Sequence, residues 1–526
     1  MKKALLLTAL LGASFAASAQ DAKVSINGNQ PGCKINKEIY GQFAEHLGSC
    51  IYGGLWVGED SQIPNIKGYR TDVFNALKEL KIPVLRWPGG CFADDYHWRD
   101  GIGPQSERPS LRNNNWGGTL EDNSFGTHEF LNLCEMLGCE PYISGNVGSG
   151  TVEEMVKWVE YMNSEEGTPM ADLRKKNGRD KAWGVKYFGI GNEAWGCGGN
   201  MRPEYYSDLF RRYGEYIRNY DGHNVYKIAS GASDKDYNWT KVLMDNIGFR
   251  MNATSMHYYV CSGWDTRKAS ATQFNSEEYY WTLGKAVWMD ELIKGHDKVM
   301  SEKDPDKKIG LMVDEWGTWW DEAEAGHNPG HLYQQNCMRD AFVAALTLNI
   351  FHKHTDRVKM ANIAQVVNVL QSMILTDTKG TGHMVLTPTY HVFHMYRPFQ
   401  EATPFAVDVQ CETITVRDDF KKPLSQENQA YLPTVSCSAA KTTDGKTIIA
   451  LANVKLDKAQ EISINLDGIK AKAVSGQILT SKNAGDYNDF DHPETVKPVA
   501  FKDAKLKNGT LTVKLPALSI VVLELN

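Results

Sequence analysis

YFGIGNEAWGCGGN, residues Tyr187 to Asn200, is a short apolar run that breaks into glycines beside an acid, Glu193. A buried parallel strand delivers whatever follows it to the rim of its sheet, where loops surround a ligand. Glu193 is therefore read as a strand-end acid placed for chemistry. Asn192 before it offers a hydrogen-bonding amide and Trp195 after it an apolar wall, a combination that suits a sugar better than a phosphate or a metal ion. An isolated Asn-Glu pair more often serves a cap or a turn. A second copy of the pattern favours the chemical reading: Ile309 to Trp320, IGLMVDEWGTWW, sets Glu315 just beyond an apolar strand with Trp316, Trp319 and Trp320 around it. Two strand-end glutamates in aromatic company read as a carboxylate pair.

Working outward from these two strands, the same alternation of strand and helix recurs. Ile39–Phe43 is a strand followed directly by Glu45 and His46, Asp72–Leu80 is helical, and Ile82–Arg86 is a strand entering a long Pro/Gly-rich loop to Pro104. A helix from Thr127 buries Phe130, Leu131, Cys134 and Leu137 at helical spacing and stops at Gly138, before a strand PYISGNV. Thr151 and Glu154 form a capping box for the next helix. Past Glu193 come a helix over Pro203–Asn219, a strand YKIASGAS, a strand Asn252–Val260 ending on His257, Tyr258 and Tyr259, and a helix over Ser276–Met300. Helix Leu332–Phe351 follows the Glu315 strand, and Ala361–Val367 is the eighth strand. Strict alternation predicts a (β/α)8 TIM barrel over residues 39–384. An open doubly wound sheet is the rival, and no dinucleotide glycine fingerprint accompanies it. From about Val385 the chain alternates apolar and polar residues around an Asp444-Gly445 turn, which predicts an all-β sandwich over 385–526. Residues 20–38 are read as an extended segment packing with that sandwich.

The first residues, MKKALLLTALLGASFAASAQ, carry Lys2 and Lys3, a short apolar run and small residues ending at Ala19. They are read as a secretory signal peptide, residues 1–19, which predicts an exported protein, periplasmic or secreted. The formal charge of −7 becomes two units more negative without those lysines, which disfavours nucleic acid and anionic membranes as partners and leaves a neutral polysaccharide compatible. The ten cysteines show no CxxC or Cys/His metal spacing. Cys91 and Cys197 lie in loops beside the proposed site, and the sequence leaves open whether they pair.

Cleaving a glycosidic bond takes an acid to protonate the leaving oxygen and a second carboxylate to meet the anomeric carbon; carboxylates about 5 Å apart give retention. Glu193 is expected to be the acid and later the base, and Glu315 the nucleophile. Arg86 and Tyr259 are expected to hold Glu315 ionised, while Trp195 and the neighbouring charge keep Glu193 protonated. Arg86 and His257 are read as supporting residues behind the site, with His257 open to a substrate contact as well.

The segments IYGQFAEHLG, LRWPGGCFADDYHWRDGIGP, DNSFGTHEF, YFGIGNEAWGCGGN, IGLMVDEWGTWW, HLYQQNCMRD, VKMANIAQVVNVLQ and TPTYHVF together resemble the α-L-arabinofuranosidases of glycoside hydrolase family 51. In that clan of barrels the acid/base follows the fourth strand and the nucleophile the seventh. Position by position, the resemblance implies Glu193 and Glu315 in those roles. It also implies Glu45, Cys91, Asn192, Tyr259 and Gln365 as hydrogen-bonding contacts to the furanose, and Trp98 and Trp319 as pocket walls. Position 91 is asparagine in some relatives and cysteine in others, and Ala194 stands where relatives often have asparagine. The implied activity is a retaining, exo-acting α-L-arabinofuranosidase. It would remove terminal arabinofuranosyl residues from arabinan, arabinoxylan or arabino-oligosaccharides in hemicellulose and L-arabinose metabolism. No metal or organic cofactor is expected, and the family's common hexamers imply a homo-oligomer. A β-xylosidase or an endo-β-glucanase on the same barrel is the rival activity; a catalytically inactive arabinan-binding protein is the rival of another class.

Overall fold

The computed structural model describes residues 21–261, 263, 268–321, 328–377, 382–507 and 509–526; the signal-peptide reading of residues 1–19 lies outside them. Eight parallel strands close into a barrel in chain order: Gly41–Phe43, Val84–Trp87, Glu140–Gly145, Tyr187–Ile190, Tyr226–Ser233, Ala253–Val260, Gly310–Thr318 and Val358–Ala364, the last pairing with the first. The predicted barrel is the observed one. Most of these strands are buried along their length, as strands covered on both faces must be. Val84, Tyr142, Tyr187, Ile228, Met312 and Met360 fill the lower interior. The barrel is therefore a plugged core, and only its upper rim, at the carboxyl ends of the strands, is open to a ligand.

The helices start where the sequence supplies caps. Thr151 Oγ1 accepts the Glu154 amide at 3.1 Å, and Gly138 ends its helix at φ 76°, a left-handed conformation that glycine adopts without steric cost. Several helices depart from expectation, among them Pro169–Lys176 and Tyr237–Ile247, which the sequence reading did not place. The predicted Ser276–Met300 helix is two, Ser276–Val287 and Met289–Ser301, joined at Trp288. The helix expected from Leu332 begins only at Met338. The residues before it are drawn to the seventh strand instead: the Gln334 side chain accepts the Trp320 amide at 2.9 Å. The stretch read as turning to β texture at Val385 first contains another helix, Pro388–Tyr396, whose Thr387 side chain accepts the Tyr390 amide behind a proline at the first turn.

Beyond it lies one ten-stranded sheet folded on itself. Ile462, Ile464, Leu511 and Val513 from one half meet Ile449, Leu451, Val521 and Leu523 from the other in a single core, which makes it a sandwich. Ala22–Pro31 is a central strand of it, antiparallel to Thr403–Cys411 and parallel to Gln460–Asp467. Thr447–Asn453 is buried on both faces: Ile449 and Leu451 enter the sandwich core, while Ile448, Ala450 and Ala452 join the core that continues into the barrel. The hairpin Thr413–Val416/Ala430–Pro433 reaches over the barrel helix Ser276–Val287, so close that a Cβ on Gly284 would lie 2.8 Å from Val416 Cγ2.

Candidate active site

The seventh strand carries one residue too many. Between Met312 and Glu315 it runs three residues against two of the sixth strand, Ser255 to His257, and between Val313 and Trp316 three against two of the eighth. This β-bulge turns two consecutive acids, Asp314 and Glu315, toward the barrel axis, where an unbroken strand would aim them to opposite faces. Arg86, from the second strand, meets both. Its Nη1 donates to Glu315 Oε1 at 2.9 Å and to the Asp314 carbonyl at 3.0 Å, and its Nη2 donates to Asn192 Oδ1 at 2.6 Å. The Tyr259 hydroxyl donates to Glu315 Oε2 at 2.9 Å. The Gly90 backbone comes so near that a Cβ there would lie 2.7 Å from Glu315 Oε1.

Glu193 stands across from Glu315, at φ 39° in the turn after the fourth strand. A carboxylate oxygen of each, and a ring nitrogen of His257, all lie within 4.8 Å of one another. His257 Nδ1 is 2.8 Å from Glu193 Oε1, and its Nε2 is 3.0 Å from Asp314 Oδ1. Burial opposes a charge on this imidazole, but Glu315, Asp314 and Glu193 outweigh it and raise its pKa to about 10. Asp314, which also accepts from the Tyr142 hydroxyl at 2.6 Å, is pushed up by burial and brought below the usual carboxylate range by Arg86, His257 and Tyr142. The Glu193 carboxyl lies above its ordinary value, chiefly through burial and then through the charge of Glu315, with the hydrogen bond from His257 working the other way.

Glu45 follows the first strand. Its Oε1 accepts from the Gly90 and Phe92 amides and from Trp116 Nε1, at 3.0, 3.2 and 3.0 Å, and its Oε2 accepts from Gln365 Nε2 at 2.9 Å. Burial and the Glu315 charge still raise it to about 7. Two polar groups here have no partner among the described residues: Asn192 Nδ2 and Gln365 Oε1. Each belongs to an amide whose other end is held by Arg86 or Glu45, so the free end is fixed in place. A disulfide joins Cys91 to Cys197 with a Cα–Cα separation of 5.4 Å, and the Cys197 sulfur lies 3.4 Å from Glu193 Oε2.

These groups surround a cavity of about 340 Å³, lined also by Trp195, Trp319 and Leu332. Glu45, Cys91, Tyr259, Gln365 and both glutamates reach it; Asn192 and Arg86 stand immediately behind. Trp319 forms a wall, its ring edge-on to Tyr259 at 5.3 Å. Trp98 is not part of that wall. It is 1% exposed, donates its indole N–H to the Glu154 carbonyl and stacks on Trp158. Trp316 and Trp320 are core residues, against Phe351 and Arg339. Sequence reading missed Asp314, which only the bulge brings inward. It missed Asp94 too, whose carboxylate accepts the Val147, Gly148 and Asn192 amides and so ties the loops after strands two, three and four together.

Residues 76–277 match the family model described as the α-L-arabinofuranosidase 1 domain, and residues 314–519 match the α-L-arabinofuranosidase C-terminal domain. The chain is 63% identical over 524 residues to a protein of Bacteroides ovatus named intracellular exo-α-L-arabinofuranosidase, covering 99% of both. It superposes with a TM-score of 0.92 on a family 51 arabinofuranosidase of Xanthomonas axonopodis pv. citri, at 48% identity over 97% of this chain and all of the other. An arabinose complex of a Thermotoga maritima α-L-arabinofuranosidase gives 0.83 at 30% identity, over 96% and 99% of the two chains. The Bacteroides match corrects one expectation. A relative aligned along both whole chains is named intracellular, so the reading of this protein as exported, periplasmic or secreted is withdrawn. A basic residue pair, a short apolar run and small residues are a compositional pattern, and the match outweighs it.

Proposed function

The chain belongs to the α-L-arabinofuranosidases of glycoside hydrolase family 51, and on that footing we propose a retaining, exo-acting hydrolysis in which Glu193 is the acid/base and Glu315 the nucleophile. As a member it is a glycoside hydrolase acting on α-L-arabinofuranosides; the whole-length relative named an exo-enzyme leaves β-xylosidase, endo-β-glucanase and the inactive binding protein unfavoured. The observation that carries the two-step reading is the approach of the two carboxylates, within 4.8 Å, which leaves no room between them for the attacking water of an inverting enzyme.

A terminal arabinofuranose enters the cavity with its anomeric carbon above Glu315. One Glu315 oxygen bonds to that carbon as the glycosidic bond breaks, and the proton on Glu193 passes to the leaving oxygen. Arg86 and Tyr259 have already fixed the Glu315 carboxylate, so attack requires little reorganisation. Once Glu315 is esterified its charge is gone, and with it one of the causes holding the Glu193 pKa up. Glu193 then ionises more readily and takes the proton of the incoming water, which displaces Glu315 and restores the enzyme. The free ends of Asn192 and Gln365 and the carboxylate of Glu45 are the sugar's hydroxyl partners. Substrates are arabinan, arabinoxylan or their oligosaccharides. The homo-oligomer implied by the family is a matter for light scattering.

The test sets an aryl α-L-arabinofuranoside against the matched β-D-xylopyranoside. Wild type turns over the arabinofuranoside, Glu315→Ala turns over neither, and Glu193→Ala keeps cleaving substrates with very good leaving groups. Residual turnover in Glu315→Ala together with loss in Glu193→Ala would reverse the roles.

A further inference from the structure

A second cavity, of about 470 Å³, abuts the catalytic one and shares Asp234, Tyr258 and Tyr259 with it. Part of its wall comes from outside the barrel, from the hairpin Thr413–Val416/Ala430–Pro433. Phe420, in the loop of the hairpin that crosses the helix Ser276–Val287, meets Trp281 edge-on at 5.3 Å. That loop is held firmly. Asn428, 6% exposed, accepts the Asp419 amide and donates to the carbonyls of Asp419, Lys422 and Pro423, and the Arg417 guanidinium lies 4.4 Å from the Phe420 ring centre.

Two polar atoms of the lining residues are buried without a partner among the described residues: the Trp281 indole Nε1, on a residue 4% exposed, and Asp234 Oδ1. Asp234 is pinned from both sides of its backbone, its N–H on the His257 carbonyl at 2.9 Å and its carbonyl under His296 Nε2 at 2.7 Å. The catalytic scheme uses neither atom. A buried donor and a buried acceptor each forfeit a hydrogen bond unless a ligand supplies the complement, and hydroxyl groups supply both. Of the charged groups in the lining, Lys285 pairs with Asp418 at 2.8 Å and Lys422 with Asp419 at 3.2 Å, and the remaining lysines, Lys235 and Lys421, are exposed. Aromatic faces beside a free N–H and a free carboxylate oxygen are the complement of a sugar.

We propose that this cavity binds a pentosyl residue of the leaving chain, beyond the scissile bond, so that the hairpin Thr413–Val416/Ala430–Pro433 takes part in choosing longer substrates. The inference rests on the hydrolytic reading of the first cavity. The two are separated by measuring kcat/KM on an aryl α-L-arabinofuranoside, which carries no pentosyl residue beyond the scissile bond, and on α-1,5-linked arabinobiose, arabinotriose and arabinotetraose.

In the wild type kcat/KM rises with chain length. In Phe420→Ala and, independently, Trp281→Phe it falls about 5-fold or more on the trisaccharide, the size of one lost contact, while aryl turnover and the unfolding midpoint stay at wild-type values. Trp281→Phe keeps an aromatic ring and removes the N–H, so it reports the hydrogen bond even if Phe420→Ala disorders its loop. Equal losses on all four substrates, or no loss on the trisaccharide, overturn the proposal. Failure of the wild type on the aryl arabinofuranoside instead overturns the reading of the first cavity; aryl turnover without any chain-length dependence overturns only the second.

Discussion

His257→Gln tests the electrostatics of the site most sharply. The imidazole lies 2.8 Å from Glu193 and 3.0 Å from Asp314, and with a pKa of about 10 it is a cation throughout the neutral range. A cation this close favours the ionised form of Glu193 and so holds its pKa down. Two unit charges about 4 Å apart at an effective dielectric of about 20 interact by about 4 kcal/mol, and opposite charges at this range shift a carboxyl by about 1–3 units. Glutamine keeps an N–H for Glu193 and removes the charge, so part of the effect survives. The Glu193 pKa is expected to rise by about 1–2 units. The acid must be protonated to work, so the alkaline limb of the pH profile of kcat/KM moves to higher pH by that amount. The assay uses an arabinofuranoside with a poor leaving group, whose cleavage depends on the acid.

Stability carries the same signature. A histidine with its folded pKa raised contributes stability that is fully present below about 6.5 and is lost as pH rises through about 10. The variant should therefore lose the alkaline decline of the unfolding midpoint that this group causes. An alkaline limb that stays put or moves down refutes the reasoning, because it means that His257 is neutral in the working enzyme.

Two further perturbations follow from the geometry. Gly90→Ala puts a methyl 2.7 Å from Glu315 Oε1, and since a misplacement of about 1 Å at a reacting group costs about 100-fold, kcat is expected to fall by at least that much with a normal thermal melt; retained activity refutes the close approach. Reducing the Cys91–Cys197 bond opens a loop with a sequence separation of 106, worth at most about 4–5 kcal/mol in the chain-entropy picture, so the unfolding midpoint is expected to drop by several degrees once thiol titration shows the bond open. An unmoved midpoint would mean that the surrounding loops alone set the native geometry there.

The barrel was legible because its signal is repeated: eight strand-like runs, most of them followed by an amphipathic helix, leave little else for the chain to build. The helix Pro388–Tyr396 was lost inside a β-like texture although Thr387-Pro388 is a recognisable start. The two glutamates stood out because each follows an apolar run in aromatic company. Asp314 did not, since strict alternation assigns it to the face opposite Glu315, and nothing in VDEWG announces the extra residue that turns both inward. Trp98 was expected in the wall, but the short 3-10 turn Trp98–Gly101 directs its indole to the carbonyl of Glu154. The disulfide was left open for the reason that hides Asp234 and Phe420. Residues far apart in the chain meet only when loops from different elements converge, and spacing in the sequence does not record that.

The strand Ala22–Pro31 fixes the order in which the molecule can be made. It lies between Thr403–Cys411 and Gln460–Asp467, and the barrel likewise closes only when Val358–Ala364 reaches Gly41–Phe43. At synthesis rates of about 5–20 residues per second, the first strand waits roughly 20–80 s for its first partner. Through that interval Ala22, Val24 and Ile26, all buried in the finished sheet, stand beside an unpaired backbone edge. Maturation is thus governed by strands made late: a ribosome that stalls before Val358 leaves neither a closed barrel nor a sandwich but an open edge ready to pair with a neighbouring nascent chain.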